Sequence, residues 1–224
     1  MISVKRLGYG IFKVVLLGMV IPAILAKSQK EFEEKIKKIA PHADIIQIDV
    51  MDGVFVPNKT WADTDIIKHL YLPIKFEAHL MVQNPEAGAI EGWAQAGAFR
   101  IIFHIEATKK AEECIRQIKK YKREVGVAIN PNTPLAKLKP FLKKIDYVLV
   151  MGVTPGFSGQ KFQPVVLQKI KQIRNLAPKI KIGVDGGVDK TNAKKLYAAG
   201  ANYLNAASAI FESKNIGKAI ESLI

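Results

Sequence analysis

At 224 residues, with 49% hydrophobic and 24% charged, the chain is long enough for one large core and has a globular composition. Its formal charge of +14 raises the question of nucleic acid. Much of the excess, however, sits in runs such as Glu33-Glu34-Lys35-Ile36-Lys37-Lys38, where acidic and basic neighbours at helical spacing mark solvated helix faces. No aromatic-interleaved basic patch accompanies these runs, so nucleic acid is not the expected partner, whereas a basic surface does draw small anions.

Residues 1–18 mix Lys5, Arg6 and Lys13 with short apolar runs. They superficially resemble a secretory signal, but Lys13 interrupts the apolar region, and cleavage after Ala26 would remove the first core strand. The run is also too broken to span a membrane. Residues 1–18 are therefore read as a poorly ordered extension or the product of an upstream start, and 19–224 as a single domain. Strand-like apolar runs then recur at 20–25, 45–50, 74–81, 101–105, 125–129, 147–151, 180–184 and 203–206. Helical stretches separate them. Ser28 with Glu31 makes a capping-box signature for a helix to Ile39; Pro85, Pro134 and Pro164 open others; Asp189 and Thr191 cap one that stops at Gly200. Eight strand–helix units without a composition break predict a closed α/β (βα)₈ TIM barrel. The single Cys114 excludes an intramolecular disulfide framework, fits a reducing cytoplasm, and reads as a packing residue.

Such a barrel carries its chemistry at the C-terminal ends of its strands. In the second strand Gln47, Asp49 and Met51 share one face while Ile46, Ile48 and Val50 share the other. An aspartate aimed into an enclosed space needs a pairing group, a hydrogen bond or a metal. The third strand ends with His79 and Met81, the fourth with His104 and Glu106, and the seventh with Asp185-Gly186-Gly187. Asp49 and Asp185 are expected to face each other across the mouth, which suits removal of a proton from one side of a substrate and delivery to the other. His79 between them completes a site for a hard divalent metal, which would stabilise an enediolate oxygen. Gly156, Gly159, Gly186 and Gly187, with Ala207 and Ser208, expose backbone N–H groups where many barrels bind phosphate.

Ordered along the chain, Pro22-Ala23-Ile24-Leu25, Asp49-Val50-Met51-Asp52-Gly53-Val54-Phe55-Val56-Pro57-Asn58, His79-Leu80-Met81-Val82, His104-Ile105-Glu106-Ala107, Asn130-Pro131-Asn132-Thr133-Pro134, Pro155-Gly156-Phe157-Ser158-Gly159-Gln160, Val184-Asp185-Gly186-Gly187-Val188 and Ser208-Ala209-Ile210-Phe211 resemble the ribulose-phosphate 3-epimerase family. The resemblance covers nearly everything from Val20 to Phe211. It implies a cytoplasmic, metal-dependent isomerase of the pentose phosphate pathway that interconverts D-ribulose 5-phosphate and D-xylulose 5-phosphate, and barrels of this type commonly form homo-oligomers. By the same resemblance Asp49 and Asp185 are acid/base groups and metal ligands, and His79 is a third ligand that also meets substrate. Met51, Met81 and Met151 form a thioether wall beside the reacting carbons, and phosphate falls on Gly156, Phe157, Ser158, Gly159, Gly186, Gly187, Ala207 and Ser208. The alternatives are another ketose phosphate, or phosphosugar binding without catalysis. The Asp-x-Lys-x-x-Asp motif of phosphosugar decarboxylases is absent from the sequence. Two departures stand out: Gln47 replaces a family histidine ligand, and Ala23 replaces a serine. An amide oxygen at Gln47 would be a weaker zinc ligand than imidazole and would favour magnesium or manganese.

Overall fold

The computed structural model describes the backbone of residues 2–7 and 11–16 and the whole of residues 18–157 and 160–224. Where the sequence reads as a poorly ordered extension, Ile2–Leu7 (β1) and Ile11–Leu16 (β2) pair antiparallel in a two-stranded sheet apart from the barrel. The barrel itself runs from β3 (Met19–Ile24) through β4 (Ile45–Met51), β5 (Lys75–Met81), β6 (Arg100–His104), β7 (Glu124–Ile129), β8 (Tyr147–Met151) and β9 (Lys181–Asp185) to β10 (Tyr203–Ala206). Each strand lies parallel to its neighbours and β10 pairs with β3, closing the expected (βα)₈ barrel.

The two-residue period of the strands sorts their side chains into two compartments. Ile46, Ile48 and Val50 of β4 pack outward in the cluster that also holds Phe32, Ile36 and Ile39 of α1 (Gln29–Ile39). Burying each such aliphatic side chain stabilises the fold by roughly 1.5–3 kcal/mol. Inside the barrel, Ile102, Ala128, Tyr147, Leu149 and Met151 form a separate apolar group, while Gln47, Asp49, Glu77, His79, Arg100 and Asn205 are buried polar residues.

Helices α2 (Thr64–His69), α3 (Ala89–Gln95), α4 (Ala111–Lys120), α5 (Val165–Leu176), α6 (Ala193–Ala199), α7 (Ser208–Phe211) and α8 (Ile216–Glu221) complete the shell. Ser28 Oγ caps α1 by accepting from Glu31 N–H at 3.2 Å. The reciprocal bond lands one residue early, with Lys27 N–H donating to the Glu31 carboxylate at 2.8 Å. Gly200, at φ 114°, ends α6 in the left-handed conformation expected of a helix stop. One unit departs from the expected pattern. After β7 the chain makes two 3₁₀ turns, Leu135–Lys137 and Lys139–Phe141, instead of an α-helix. Pro140 explains this, because it lacks an N–H and its ring would collide with the preceding helical turn. Among the described residues no helix is long and apolar enough to cross a membrane.

Candidate active site

Strand register assembles the site. Asp49 lies opposite His79 and Met51 opposite Met81 across the β4–β5 ladder, while Asp185 lies between Met151 and Asn205 in the ladders of β9. His79 is fully buried, with Nδ1 2.9 Å from Asp49 Oδ1 and 3.2 Å from Asp185 Oδ2. β4 and β9 are three places apart in the closed strand order, so the two carboxylates converge on one imidazole instead of facing each other across the full mouth as expected. One potential ligand atom from each of Asp49, His79 and Asp185 lies within 4.8 Å of the others. Two carboxylates and an imidazole at this spacing fit a divalent cation that accepts oxygen and nitrogen donors.

The charges in this cluster shape one another. Burial alone would lower the affinity of His79 for its proton, but hydrogen bonds and charge from Asp185 and Asp49 outweigh it and raise the imidazole to about 9. Burial, then the charge of Asp185, pushes Asp49 up to about 6 against the opposing pull of His79 and Gln47. Asp49 is therefore poised near neutrality, where a group that both takes and gives a proton is most effective.

Gln47 departs from the sequence expectation of an oxygen ligand. Its Nε2 donates to Asp49 Oδ1 and to Asp185 Oδ2, each at 2.7 Å. Its Oε1 accepts from Asn205 Nδ2 at 2.7 Å, and the same nitrogen donates to Glu77 Oε1 at 2.8 Å. Arg100 in turn donates to Glu77 Oε2 and, through Nε at 2.9 Å, to Glu124. Glu77, Arg100 and Asn205 were not singled out from sequence. Each is a polar residue at an inward, buried position of its strand, which is the available signal.

Beneath the carboxylates, His79 Nε2 meets His104 Nε2 at 2.8 Å. Burial and the neighbouring His79 charge hold His104 below the usual imidazole range, so it stays neutral and accepts from His79. That leaves the proton of His104 on Nδ1, which lies 3.4 Å from Glu106 Oε2. Glu106 Oε1 accepts from Asn130 N–H at 2.9 Å and thereby anchors the loop after β7. The same loop is gripped from outside by Lys169 of α5, whose Nζ donates to the carbonyls of Asn130, Pro131 and Thr133 at 2.6–2.7 Å.

Above the aspartates a cleft is lined by Met51, Met81 and Met151, by Gly156 and Phe157, and by Gly186, Gly187, Ala207 and Ser208. Of the expected substrate-binding residues, His79 lies below this lining, and Ser158 and Gly159 fall outside the described residues. Gly186 and Gly187 have φ of +99° and +65°, and a Cβ on Gly187 would come within 2.7 Å of Phe162 N and 2.9 Å of Gln160 O. Backbone there is held too tightly for a side chain. Ala207 has φ −109° and tolerates its methyl group. Asn58 Nδ2 donates to Gly156 O at 2.6 Å, tying the loop after β4 to the loop after β8 across the cleft. Cys114 is buried in α4 with its thiol pushed up to about 12 by burial and then by Glu86, in keeping with a packing role.

The chain matches the family described as Ribulose-phosphate 3 epimerase over residues 19–211. A ribulose-phosphate 3-epimerase of Schizosaccharomyces pombe is 36% identical over 207 residues, spanning 90% of each chain. One from Bacillus subtilis is 38% identical over 213 residues, 91% of this chain and 97% of its own. Among solved structures, 3-hexulose-6-phosphate synthase from Salmonella typhimurium superposes with a TM-score of 0.72 at 17% identity, covering 92% of this chain and 96% of that one. At that identity the likeness is one of fold.

Proposed function

The chain belongs to the ribulose-phosphate 3-epimerase family, and on that footing we propose that it interconverts D-ribulose 5-phosphate and D-xylulose 5-phosphate. The observation that carries this reading is the pair Asp49 and Asp185 at the floor of a cleft that also holds a glycine-rich cradle. One oxygen of each carboxylate is engaged by His79 and Gln47; Asp49 Oδ2 and Asp185 Oδ1 accept no hydrogen bond among the described residues. Those two oxygens are the ones offered to a substrate. One aspartate, ionised, takes the proton from C3, and the other, protonated, returns a proton to the opposite face. Run in reverse, the two exchange roles.

A divalent cation held by Asp49, His79 and Asp185 would supply positive charge against the oxyanion of the enediolate. We assign magnesium or manganese to it, because two carboxylates and one imidazole make a hard donor set. Met51, Met81 and Met151 keep water from the reacting carbon with polarizable apolar surface. Backbone N–H groups of Gly186, Gly187, Ala207 and Ser208 take the phosphate, and the basic protein surface favours the arrival of a sugar phosphate. Ala23, 1% exposed and paired in register with Gln47, brings no hydroxyl to the site. We place the enzyme in the cytoplasm, where a lone buried thiol stays reduced.

Proton NMR of ribulose 5-phosphate in D₂O with manganese-loaded protein tests the reading. Xylulose 5-phosphate carrying deuterium at C3 is the expected product. Binding of ribulose 5-phosphate without exchange would overturn the assignment in favour of a different ketose phosphate.

A further inference from the structure

The interior of the barrel contains a line of hydrogen bonds that neither the acid/base pair nor the cradle requires. Arg100, buried against the Tyr147 ring at 4.0 Å, donates to Glu77. Burial and then the carboxylate of Glu77 itself act on this guanidinium, with the net effect of raising its already high pKa, so it is a fixed cation. Glu77 can use its remaining oxygen only as an acceptor, and the group facing it is Asn205 Nδ2 at 2.8 Å. The Asn205 amide is thereby committed with its nitrogen toward β4 and β5. The second proton of that nitrogen goes to Gln47 Oε1 at 2.7 Å. Gln47 then has no choice left: its oxygen is taken, and its NH₂ must face Asp49 and Asp185. All of Gln47, Glu77 and Asn205 are 0% exposed, so bulk solvent does not compete for these hydrogen bonds.

We propose that Gln47 is a locked donor, oriented through Asn205 and Glu77 by Arg100, and that it is not a ligand of the cation in this chain. Its two N–H groups bridge the aspartates and hold two like charges together in the metal-free protein. They also compete with a cation for the same two oxygen atoms. The metal centre is therefore limited to Asp49, His79 and Asp185 from the protein, with affinity set in part by an amide that does not touch the ion. This inference rests on the cation reading of the proposed function, but its readout is metal affinity rather than turnover.

Two variants of the full chain test it. Asn205→Leu removes the group that holds the Gln47 oxygen, so the amide can rotate and present that oxygen to a cation. Gln47→Met removes the competing donors and keeps the side-chain length. With Mn²⁺ alone as probe, titration of metal-free protein followed by the electron paramagnetic resonance of free Mn²⁺ gives the dissociation constant. Both variants should bind Mn²⁺ more tightly than the parent, by ~10-fold for Asn205→Leu, the scale of effects from residues behind metal ligands. Gln47→Met should also lower the melting temperature of the metal-free protein and recover more of it on adding Mn²⁺ than the parent does. Weaker Mn²⁺ binding by Gln47→Met would show that the Gln47 oxygen already serves as a ligand, and unchanged or weaker binding by Asn205→Leu would show that Asn205 does not hold the amide; either result overturns the proposal. Should Gln47→Met fail to fold, the Asn205→Leu measurement decides alone. Mn²⁺ binding by the parent without epimerisation would count against the proposed reaction and leave the Gln47 result standing.

Discussion

The His79 and His104 rings meet edge to edge, with 5.0 Å between centroids and 23° between planes, and their Nε2 atoms face each other at 2.8 Å. One nitrogen must donate and the other accept, and the two carboxylates above decide which by keeping His79 protonated. His104 therefore sets the ring orientation of a residue that points its other nitrogen into the active site.

Replacing His104 by Phe keeps an aromatic ring and deletes the acceptor. Turnover and Mn²⁺ affinity should each fall by ~10–100-fold. His104→Gln returns an acceptor to the same space and should recover much of the loss. Parallel metal titration and initial-rate measurements on both variants check this; equal losses in Phe and Gln would point to packing as the role of His104.

Asp49→Asn and Asp185→Asn should each abolish net epimerisation, by ~10²–10⁴-fold or more. Isotope exchange separates them. Each variant keeps one base, so each should still exchange the C3 proton of one epimer with D₂O without inverting it. Proton NMR on ribulose 5-phosphate and xylulose 5-phosphate separately shows which epimer each aspartate serves.

The metal-free protein should lose stability as pH rises. His79 is raised from 6.5 to about 9, so its contribution is complete below the unfolded value and disappears as pH climbs through 9. Asp49, raised from 3.8 to about 6, contributes in the same direction at lower pH. A folded state that holds extra protons is weakened when protons become scarce. The melting temperature of metal-stripped protein should thus drop by several degrees between pH 6.5 and 9, and His79→Gln should flatten that slope. Thermal melts across this range measure it.

Much of this was legible in the sequence. The strands stand out because β4, β5 and β9 put chemistry-bearing residues on one parity of apolar runs, and strand order puts Asp49, His79 and Asp185 at one mouth of the barrel, though not the convergence of both carboxylates on one imidazole. What stayed hidden depended on distance across the barrel. Nothing local in Tyr203-Leu204-Asn205-Ala206 says that Asn205 reaches Gln47, 158 positions away. The direction of an amide is decided by its partners, so the orientation of Gln47 could not be read from its identity. The sequence suggests a helix after β7 because Pro134 marks a helix start, whereas Pro140, six residues on, forbids the helix from continuing.

Lys169→Met should destabilise the fold by ~1–3 kcal/mol, the scale for leaving buried carbonyls without a donor. In a chain of this size that corresponds to a melting temperature lower by ~2–4 °C per kcal/mol. Faster hydrogen exchange should be confined to residues 130–133, where the ammonium grips its carbonyls.

Gly187→Ala puts a methyl group against the Phe162 nitrogen at a residue with positive φ. A cost of ~1–3 kcal/mol in stability is expected from the strain. KM for the sugar phosphate should rise with a smaller change in kcat, because the substitution touches the cradle and not the carboxylates. Steady-state kinetics with inorganic phosphate as a competitive inhibitor separates the two effects.

The Arg100–Glu77–Asn205–Gln47 line also constrains how this barrel can change over generations. Placing a histidine at position 47 while Asn205 still aims its nitrogen there sets donor against donor as soon as the new imidazole binds a cation, so the first step is unfavourable taken alone. Altering Asn205 first empties a partner from Glu77 but leaves Arg100 to hold it. The order of substitutions therefore matters, and two residues far apart in the chain are expected to be replaced as a pair. A lineage that acquired Gln47 and Asn205 together is held in that state by the mismatch its intermediates would have to pass through.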